Sequence, residues 1–184
     1  RSFETLTPLL TQGERFICLL RDAAAAQGIA SWLSQHGWGS SLMWLISQAG
    51  SEQQCMETGT ASELAASLLA QPVQAPVAAA FEARGGLGLS QVPGRSCDAF
   101  AHDGQITKSP IRAMTLAALA PRRGECLWDL GAGSGSVSAE WCLAGGKAIC
   151  VEQHAERVAN ITVNAARYAL NLQVIHADSM TALN

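Results

Sequence analysis

Hydrophobic residues along the first 83 positions fall into short apolar runs separated by segments with helical periodicity. Asp22 can cap the first helical segment, and Thr60 with Glu63 has capping-box spacing at the start of the second. Strands that alternate with helices imply parallel pairing in an α/β layer structure. The pattern therefore predicts strands at 15–20, 41–47 and 75–83, and helices at 22–37 and 60–70.

The same alternation resumes after a break. Residues 84–98 contain four glycines and one proline and show almost no periodicity, which is typical of a linker. Beyond the linker, apolar runs predict strands at 125–131, 147–152 and 172–178, and helical spacing predicts helices at 107–121, 134–144 and 154–170. The predicted organisation is a domain at 1–83, a linker at 84–98 and a second domain at 99–184.

A glycine-rich segment, WDLGAGSGS at 128–136, joins the first strand of the second domain to the helix that follows. Gly131 and Gly133 allow a sharp turn and a close approach of the backbone to a ligand. The start of the next helix directs free N–H groups and partial positive charge toward the same place. Two ligand classes use this arrangement: dinucleotides and S-adenosylmethionine.

The glycine spacing discriminates between these ligands. A dinucleotide fingerprint, G-x-G-x-x-G, would require glycine where this chain has Ser136, whereas the third glycine is Gly135. Asp129, two residues before the first glycine, is more typical of methyltransferases. Glu152 closes the next strand, where a carboxylate can accept hydrogen bonds from ribose hydroxyls, and Asp178 closes the third. Together these features favour S-adenosylmethionine.

Composition narrows the classes of protein further. The chain has 184 residues, 48% of them hydrophobic and 15% charged, with a net charge of −3 and no dense block of Lys or Arg. A nucleic-acid partner is therefore disfavoured. No apolar stretch is long enough to span a bilayer, so we expect no membrane partner. Six cysteines without C-x-x-C pairing or zinc-like spacing indicate a reducing, cytoplasmic location and no metal site.

The segment 97–141 carries a more specific signal in the motifs FAHDGQITK, IRAMTLAALAPRRGE and WDLGAGSGSVSAEW. It resembles the decarboxylating methyltransferase domain of the precorrin-6Y C5,15-methyltransferase family. Residues 15–66 resemble the carboxyl half of a tetrapyrrole methylase domain. The implied fold class is α/β: a partial Rossmann-like class I methyltransferase domain preceded by part of an α/β tetrapyrrole methylase domain. Both domains look incomplete, so we expect a fragment that associates with itself as a homo-oligomer.

The resemblance implies methylation of a precorrin at C5 and C15 with decarboxylation of the C12 acetate, in cobalamin biosynthesis. It implies S-adenosyl-L-methionine as cofactor and a tetrapyrrole as substrate, and it names no catalytic residue. The expected substrate contacts are His102, Asp103, Lys108 and Arg112. The expected cofactor contacts are Thr107, Asp129, Gly131, Ala132, Gly133, Ser134, Gly135, Glu152, Asp178 and Ser179.

Three other functions remain open from the residues alone. The second domain would also suit a class I methyltransferase that acts on RNA or protein. A non-catalytic scaffold module with a vestigial glycine loop is a second alternative. A nicotinamide dehydrogenase is the least favoured, because Ser136 occupies the position of the third glycine.

Overall fold

The computed structural model describes residues 2–70 and 73–183. The chain divides into two compact units. Unit 1 is Leu9–Leu89, and unit 2 combines Ser2–Pro8 with the residues from Ser90 onward.

Unit 1 is a four-stranded sheet with two helices. Its strands are β1 (Arg15–Leu20), β2 (Leu42–Ser47), β3 (Cys55–Thr60) and β4 (Val77–Glu82), and its helices are α1 (Ala23–Leu33) and α2 (Ala61–Ala70). Alternate side chains of the two central strands are buried, among them Met43 and Leu45 of β2 and Phe81 of β4. This period-2 burial indicates a sheet with one face on the core.

The pairing in unit 1 corrects the sequence-based prediction. The strands lie in the order β1-β4-β2-β3 and every pairing is antiparallel, so the predicted parallel arrangement is wrong for this unit. The sequence analysis did not predict β3, whose side chains are mostly exposed and polar. It forms a hairpin with β2, and a short connection of that kind allows only antiparallel pairing.

Unit 2 contains a parallel three-stranded sheet in the order β5-β6-β7. The strands are β5 (Cys126–Leu130), β6 (Lys147–Glu152) and β7 (Leu172–His176); the helices are α3 (Ser109–Leu119), α4 (Ser136–Leu143), α5 (Ala155–Arg167) and α6 (Ser179–Ala182). These elements follow the predicted alternation. Because parallel strands end at one edge of a sheet, the segments after all three strands lie at that edge.

Local chemistry explains where the helices of unit 2 begin and end. Pro110 lies in the first turn of α3, where its missing N–H is no loss, and Ala120 ends the helix in the left-handed region at φ 50°. The carboxylate of Asp178 accepts hydrogen bonds from the backbone N–H groups of Met180 and Thr181 and so caps α6. No helix within 2–70 or 73–183 is both long and apolar enough to cross a lipid bilayer.

Candidate functional site

The loop between β5 and α4 bends sharply at three glycines. Gly131, Gly133 and Gly135 have φ values of 74°, 59° and 68°, which side chains other than glycine rarely adopt. A Cβ at Gly131 would meet no atom within 4 Å, whereas one at Gly135 would lie 3.1 Å from two side-chain carbons of Ile161. The first glycine therefore leaves open space for a ligand, and the third allows close packing on α5.

Backbone hydrogen bonds fix this loop to the neighbouring strand. The N–H groups of Gly131 and Ala132 both donate to the carbonyl oxygen of Val151 in β6, at 2.9 and 3.0 Å. The N–H of Gly133 donates to Oε2 of Glu152 at 2.8 Å. The loop and the end of β6 therefore form one hydrogen-bonded unit.

Glu152 is a buried carboxylate with fixed orientation. Its residue exposure is 3%, and its second oxygen, Oε1, accepts a hydrogen bond from the N–H of His154 at 2.9 Å. Burial acts to raise the pKa of Glu152, but the N–H groups of His154 and Gly133 and the charge of Arg157 outweigh it and hold the pKa below its usual value. The side chain is therefore an ionised acceptor at neutral pH.

Asp129 lies within β5 and contacts the following helix. The hydroxyl of Ser138 in α4 donates to its Oδ2 at 2.7 Å. Burial raises the pKa of Asp129, and the charge of Glu152 adds to that effect, although the bond to Ser138 opposes it. Asp129 thus links α4 to β5 behind the glycine loop.

A cavity of about 190 Å³ opens at the carboxyl ends of the three parallel strands. It is smaller than the pockets that enclose whole ligands, about 300–1,000 Å³, so it has room for part of a nucleoside-sized molecule. Four predicted cofactor contacts line it, together with five residues that the sequence analysis did not select. The former are Gly131, Glu152, Asp178 and Ser179; the latter are Val151, Gln153, His154, Arg157 and Ala177.

Residues 94–107, which we call the covering segment, run from the linker to α3 past the glycine loop. The carbonyl oxygen of Gln105 is the nearest atom to a Cβ placed on Gly133, at 4.0 Å. Nε of Arg157 in α5 donates to Oδ2 of Asp103 at 2.8 Å, and both side chains are partly exposed. An ion pair therefore attaches the covering segment next to the cavity.

A buried ion pair holds both ends of the covering segment. Arg112 of α3 donates from Nε to Oε1 of Glu140 in α4 at 3.0 Å, and both side chains are fully buried. The guanidinium also donates to the carbonyl oxygens of Thr107 and Arg95. Glu140 accepts the N–H groups of Gly94 and Arg95 at 2.6 and 2.9 Å. Because every partner is a protein group, this pair fixes the backbone of the segment.

The comparisons with known proteins agree with this geometry. The sequence model of the precorrin methyltransferase domain matches residues 98–184. Residues 98–184 are thus similar to the precorrin methyltransferase domain family. The C-terminal domain of precorrin-6Y C5,15-methyltransferase from Rhodobacter capsulatus is 62% identical to the chain, with a TM-score of 0.51 over 52% of this chain and 53% of that one.

Over its whole length the chain is similar to enzymes named decarboxylating precorrin-6Y C(5,15)-methyltransferase. It is 36% identical over 186 residues to the one from Sinorhizobium sp, covering 100% of this chain and 45% of that protein. It is 38% identical over 165 residues to the one from Mycobacterium tuberculosis strain CDC 1551 / Oshkosh, covering 89% of this chain and 41% of that protein. The resemblance inferred from the motifs is confirmed, and the chain spans less than half the length of these relatives.

Unit 2 brings most predicted cofactor residues together. Ala132, Ser134 and Gly135 lie in the glycine loop between the cavity and α4, and Ser134 is 3% exposed. Thr107 ends the covering segment, two residues before α3 begins. Asp178 lines the cavity, but its oxygens already accept the N–H groups and the Thr181 hydroxyl of α6. Its contact with adenine stays a prediction.

One predicted substrate contact needs correction. Arg112 is 0% exposed and bonded to protein groups alone, so it does not face a substrate. The prediction failed because an arginine near a helix start resembles a surface charge as long as its partner, Glu140, is unknown. Asp103 pairs with Arg157, and Nδ1 of His102 accepts the N–H of Gly104 at 3.0 Å. Lys108 precedes α3 and is exposed. Substrate contacts at His102, Asp103 and Lys108 stay predictions.

The sequence analysis missed Arg157 and Asn164. Arg157 follows Glu152 by five residues, in the first turn of the next helix, and that spacing after a strand that ends in a predicted cofactor contact was an available signal. Asn164 interrupts the apolar face of α5 three residues after Ile161, and both residues are buried. A polar residue on the buried face of a helix requires hydrogen-bond partners.

Proposed function

We propose that the protein transfers methyl groups from S-adenosyl-L-methionine to C5 and C15 of precorrin-6Y and removes the carboxylate of the C12 acetate side chain. The unit that contains residues 98–184 would carry the C15 methylation and the decarboxylation. The observation that carries the proposal is the ionised Glu152 carboxylate, held by the N–H of Gly133 at the edge of a polar cavity. The similarity to enzymes with this name supplies the substrate class.

The residues of the cavity fit the cofactor. The open space at Gly131 allows the backbone to approach the methionine portion, and the free lone pairs of Glu152 can accept hydrogen bonds from ribose hydroxyls. Asp178 and Ser179 border the side of the cavity where the adenine would lie. When bound, the cofactor supplies a methyl group that its sulfonium already activates.

The chain then has to position the substrate and exclude water. Precorrins carry several carboxylates, so the exposed cation Lys108 is suited to bind one of them. The covering segment, fixed by Arg112 and Arg157, runs beside the glycine loop, with the carbonyl oxygen of Gln105 near Gly133. Orientation of a ring carbon toward the methyl group accounts for much of such catalysis. Loss of carboxylate from an electron-poor macrocycle needs orientation and desolvation, and we assign no general base.

The proposal is tested with the full-length protein, precorrin-6Y and the methyl donor. We expect the product mass to rise by two CH2 units, because each transferred methyl group replaces a proton, and to fall by one carbon dioxide. Glu152→Gln should weaken cofactor binding by about 10- to 100-fold, because a hydrogen bond to a charged group is worth about 1.5–3 kcal/mol. The matched control is Glu156→Gln, an exposed carboxylate one turn further along.

Three results would overturn the proposal. Wild-type protein that binds no cofactor in calorimetry would favour the scaffold alternative. Methyl transfer to RNA or protein without transfer to precorrin would favour a different methyltransferase. Equal affinities of the Glu152→Gln and Glu156→Gln variants would remove the assigned role of Glu152.

We also propose a cytoplasmic homo-oligomer with neither nucleic-acid nor membrane partners. The six cysteines, all of which lie in the described ranges, are unpaired, which suits a reducing compartment. Several large apolar side chains of unit 2 are exposed in this 184-residue chain, including Trp128 at 48% and Leu130 at 43%, and such surface favours self-association of the chain. Light scattering of the 184-residue chain tests this association, and a monodisperse monomer would contradict it.

A further inference from the structure

Asn164 makes a complete set of hydrogen bonds at a buried position of α5. Its residue exposure is 1%. Oδ1 accepts the backbone N–H of Ala101 at 2.7 Å, while Nδ2 donates to the carbonyl oxygen of Ala101 at 3.0 Å and to that of Ser134 at 2.9 Å. One carboxamide thus bonds two separate backbone segments and uses both of its N–H groups.

The two bonded segments carry predicted cofactor and substrate contacts. Ser134 belongs to the glycine loop, and Ala101 immediately precedes His102 and Asp103 in the covering segment. Within the ranges that the structure describes, no backbone hydrogen bond joins the covering segment directly to residues 131–135. The side chain of Asn164 therefore links the glycine loop directly to the covering segment.

The same face of α5 also packs against the glycine loop. Ile161, three residues before Asn164 and 0% exposed, lies against Gly135 so closely that a Cβ there would be 3.1 Å away. Residues three apart share one face of a helix. Ile161 thus packs against the loop at Gly135, and Asn164 joins the loop to the covering segment by hydrogen bonds.

We infer that Asn164 is a positioning residue that fixes the glycine loop relative to the covering segment, and thereby the methyl donor relative to the tetrapyrrole. This inference rests on the proposed function. Asn164 acts through Ser134 and Ala101 and touches neither ligand.

The side chain at this position must be a neutral amide. It has to donate twice and accept once at a buried position, and an asparagine of this length satisfies all three groups. An aspartate would direct a second negative oxygen at two carbonyl oxygens, and leucine would leave all three backbone groups unpaired. Glutamine keeps the donors and the acceptor but adds one methylene.

The hydrogen bonds between the glycine loop and β6 predict that a substitution of Asn164 affects methyl transfer more than cofactor binding. Gly131 and Ala132 still bond Val151, and Gly133 still bonds Glu152, when Asn164 is replaced. Cofactor affinity should therefore change little, whereas the orientation of the methyl group toward the substrate should be lost. A misplacement of about 1 Å can cost about 100-fold in rate.

The test uses Asn164→Asp in the full-length protein, with Asn160→Asp on the same helix as matched control. For Asn164→Asp we expect kcat for C15 methylation to fall about 10- to 100-fold while the cofactor Kd stays within about threefold. Methylation at C5, which the proposed function gives to the other domain, should continue. Asn164→Gln should recover part of kcat, and Asn160→Asp should resemble the wild type.

A second measurement is independent of activity. Amide hydrogen exchange in residues 101–105 and in residues 134–135 should rise together in Asn164→Asp but not in Asn160→Asp. Exchange that rises in neither segment or in only one, or an unchanged kcat, would overturn the inference. Loss of cofactor binding in both the Asp and Gln variants would overturn it in favour of a role in folding alone. Wild-type protein that binds no cofactor would instead refute the proposed function, and the exchange experiment would still test the link.

Discussion

Replacement of Gly135 by alanine separates two reasons for a glycine at that position. Its φ of 68° costs an L-residue about 1–2 kcal/mol. The added Cβ would also lie 3.1 Å from Cγ1 and Cγ2 of the buried Ile161, and overpacking of that kind costs about 1–3 kcal/mol. We expect Gly135→Ala to lower the free energy of unfolding by about 2–5 kcal/mol in all.

Gly131→Ala is the matched comparison. Its φ of 74° carries the same backbone strain, but no atom lies within 4 Å of the added Cβ. We expect Gly131→Ala to lower the free energy of unfolding by about 1–2 kcal/mol. Relative to this loss of stability, its loss of cofactor affinity should be larger than that of Gly135→Ala. Denaturant unfolding of the methyltransferase domain gives both values.

The Ile161→Ala background isolates the contact. It removes both γ carbons that the new Cβ would meet at 3.1 Å, so the cost of Gly135→Ala should fall to about 1–2 kcal/mol there. Equal losses for Gly131→Ala and Gly135→Ala, or a Gly135→Ala penalty unchanged by Ile161→Ala, would refute the assignment of Gly135 to packing.

Three further predictions concern charged groups of unit 2. Glu140→Leu should destabilise the domain by about 3–5 kcal/mol, since it leaves the Arg112 charge buried without a partner, and the double variant with Arg112→Met should recover much of the loss in the same unfolding assay. Because the folded-state pKa of Glu152 is lowered, its contribution to stability is present above the ordinary glutamate pKa of about 4.3. This contribution is lost as the pH falls through the folded-state pKa. Stability-versus-pH curves of Glu152→Gln should therefore lack this loss at acidic pH. The folded-state pKa of Asp129 is raised, so stability is lost as the pH rises from about 3.9 through that pKa, and Asp129→Asn should be more stable than wild type at neutral pH; a less stable variant would contradict this.

The parallel half of the fold was predictable because its strands are apolar and are followed by turn or capping residues. Glu152 and the glycines are adjacent to those strands, so their meeting at one sheet edge follows from strand direction alone. In unit 1 the strand β3, CMETGT, has neither an apolar run nor clear alternation, since it is an exposed edge strand. Without it, the alternation of strands and helices suggested parallel neighbours, whereas β4 lies between β1 and β2 and runs antiparallel to both.

Long-range partners were the other limit on prediction. Arg112 and Glu140 are 28 positions apart, and Asn164 bonds a residue 63 positions away. Periodicity gives the face of a helix on which a side chain lies, but it does not say which distant group meets it there. Burial of a polar residue, once known, requires a partner, and only the tertiary structure identifies that partner.

The two backbone N–H bonds of Glu152 have a consequence for how tightly a sugar can be held. Rotamer freedom lost on complex formation costs about 0.5–1.5 kcal/mol for a long side chain, and here folding has already removed it. An arriving ribose meets a carboxylate whose direction is settled in advance, with one lone pair on each oxygen still to offer. The affinity of this contact is therefore limited by the ordering and desolvation of the ligand. The cost of ordering the Glu152 side chain adds little to it.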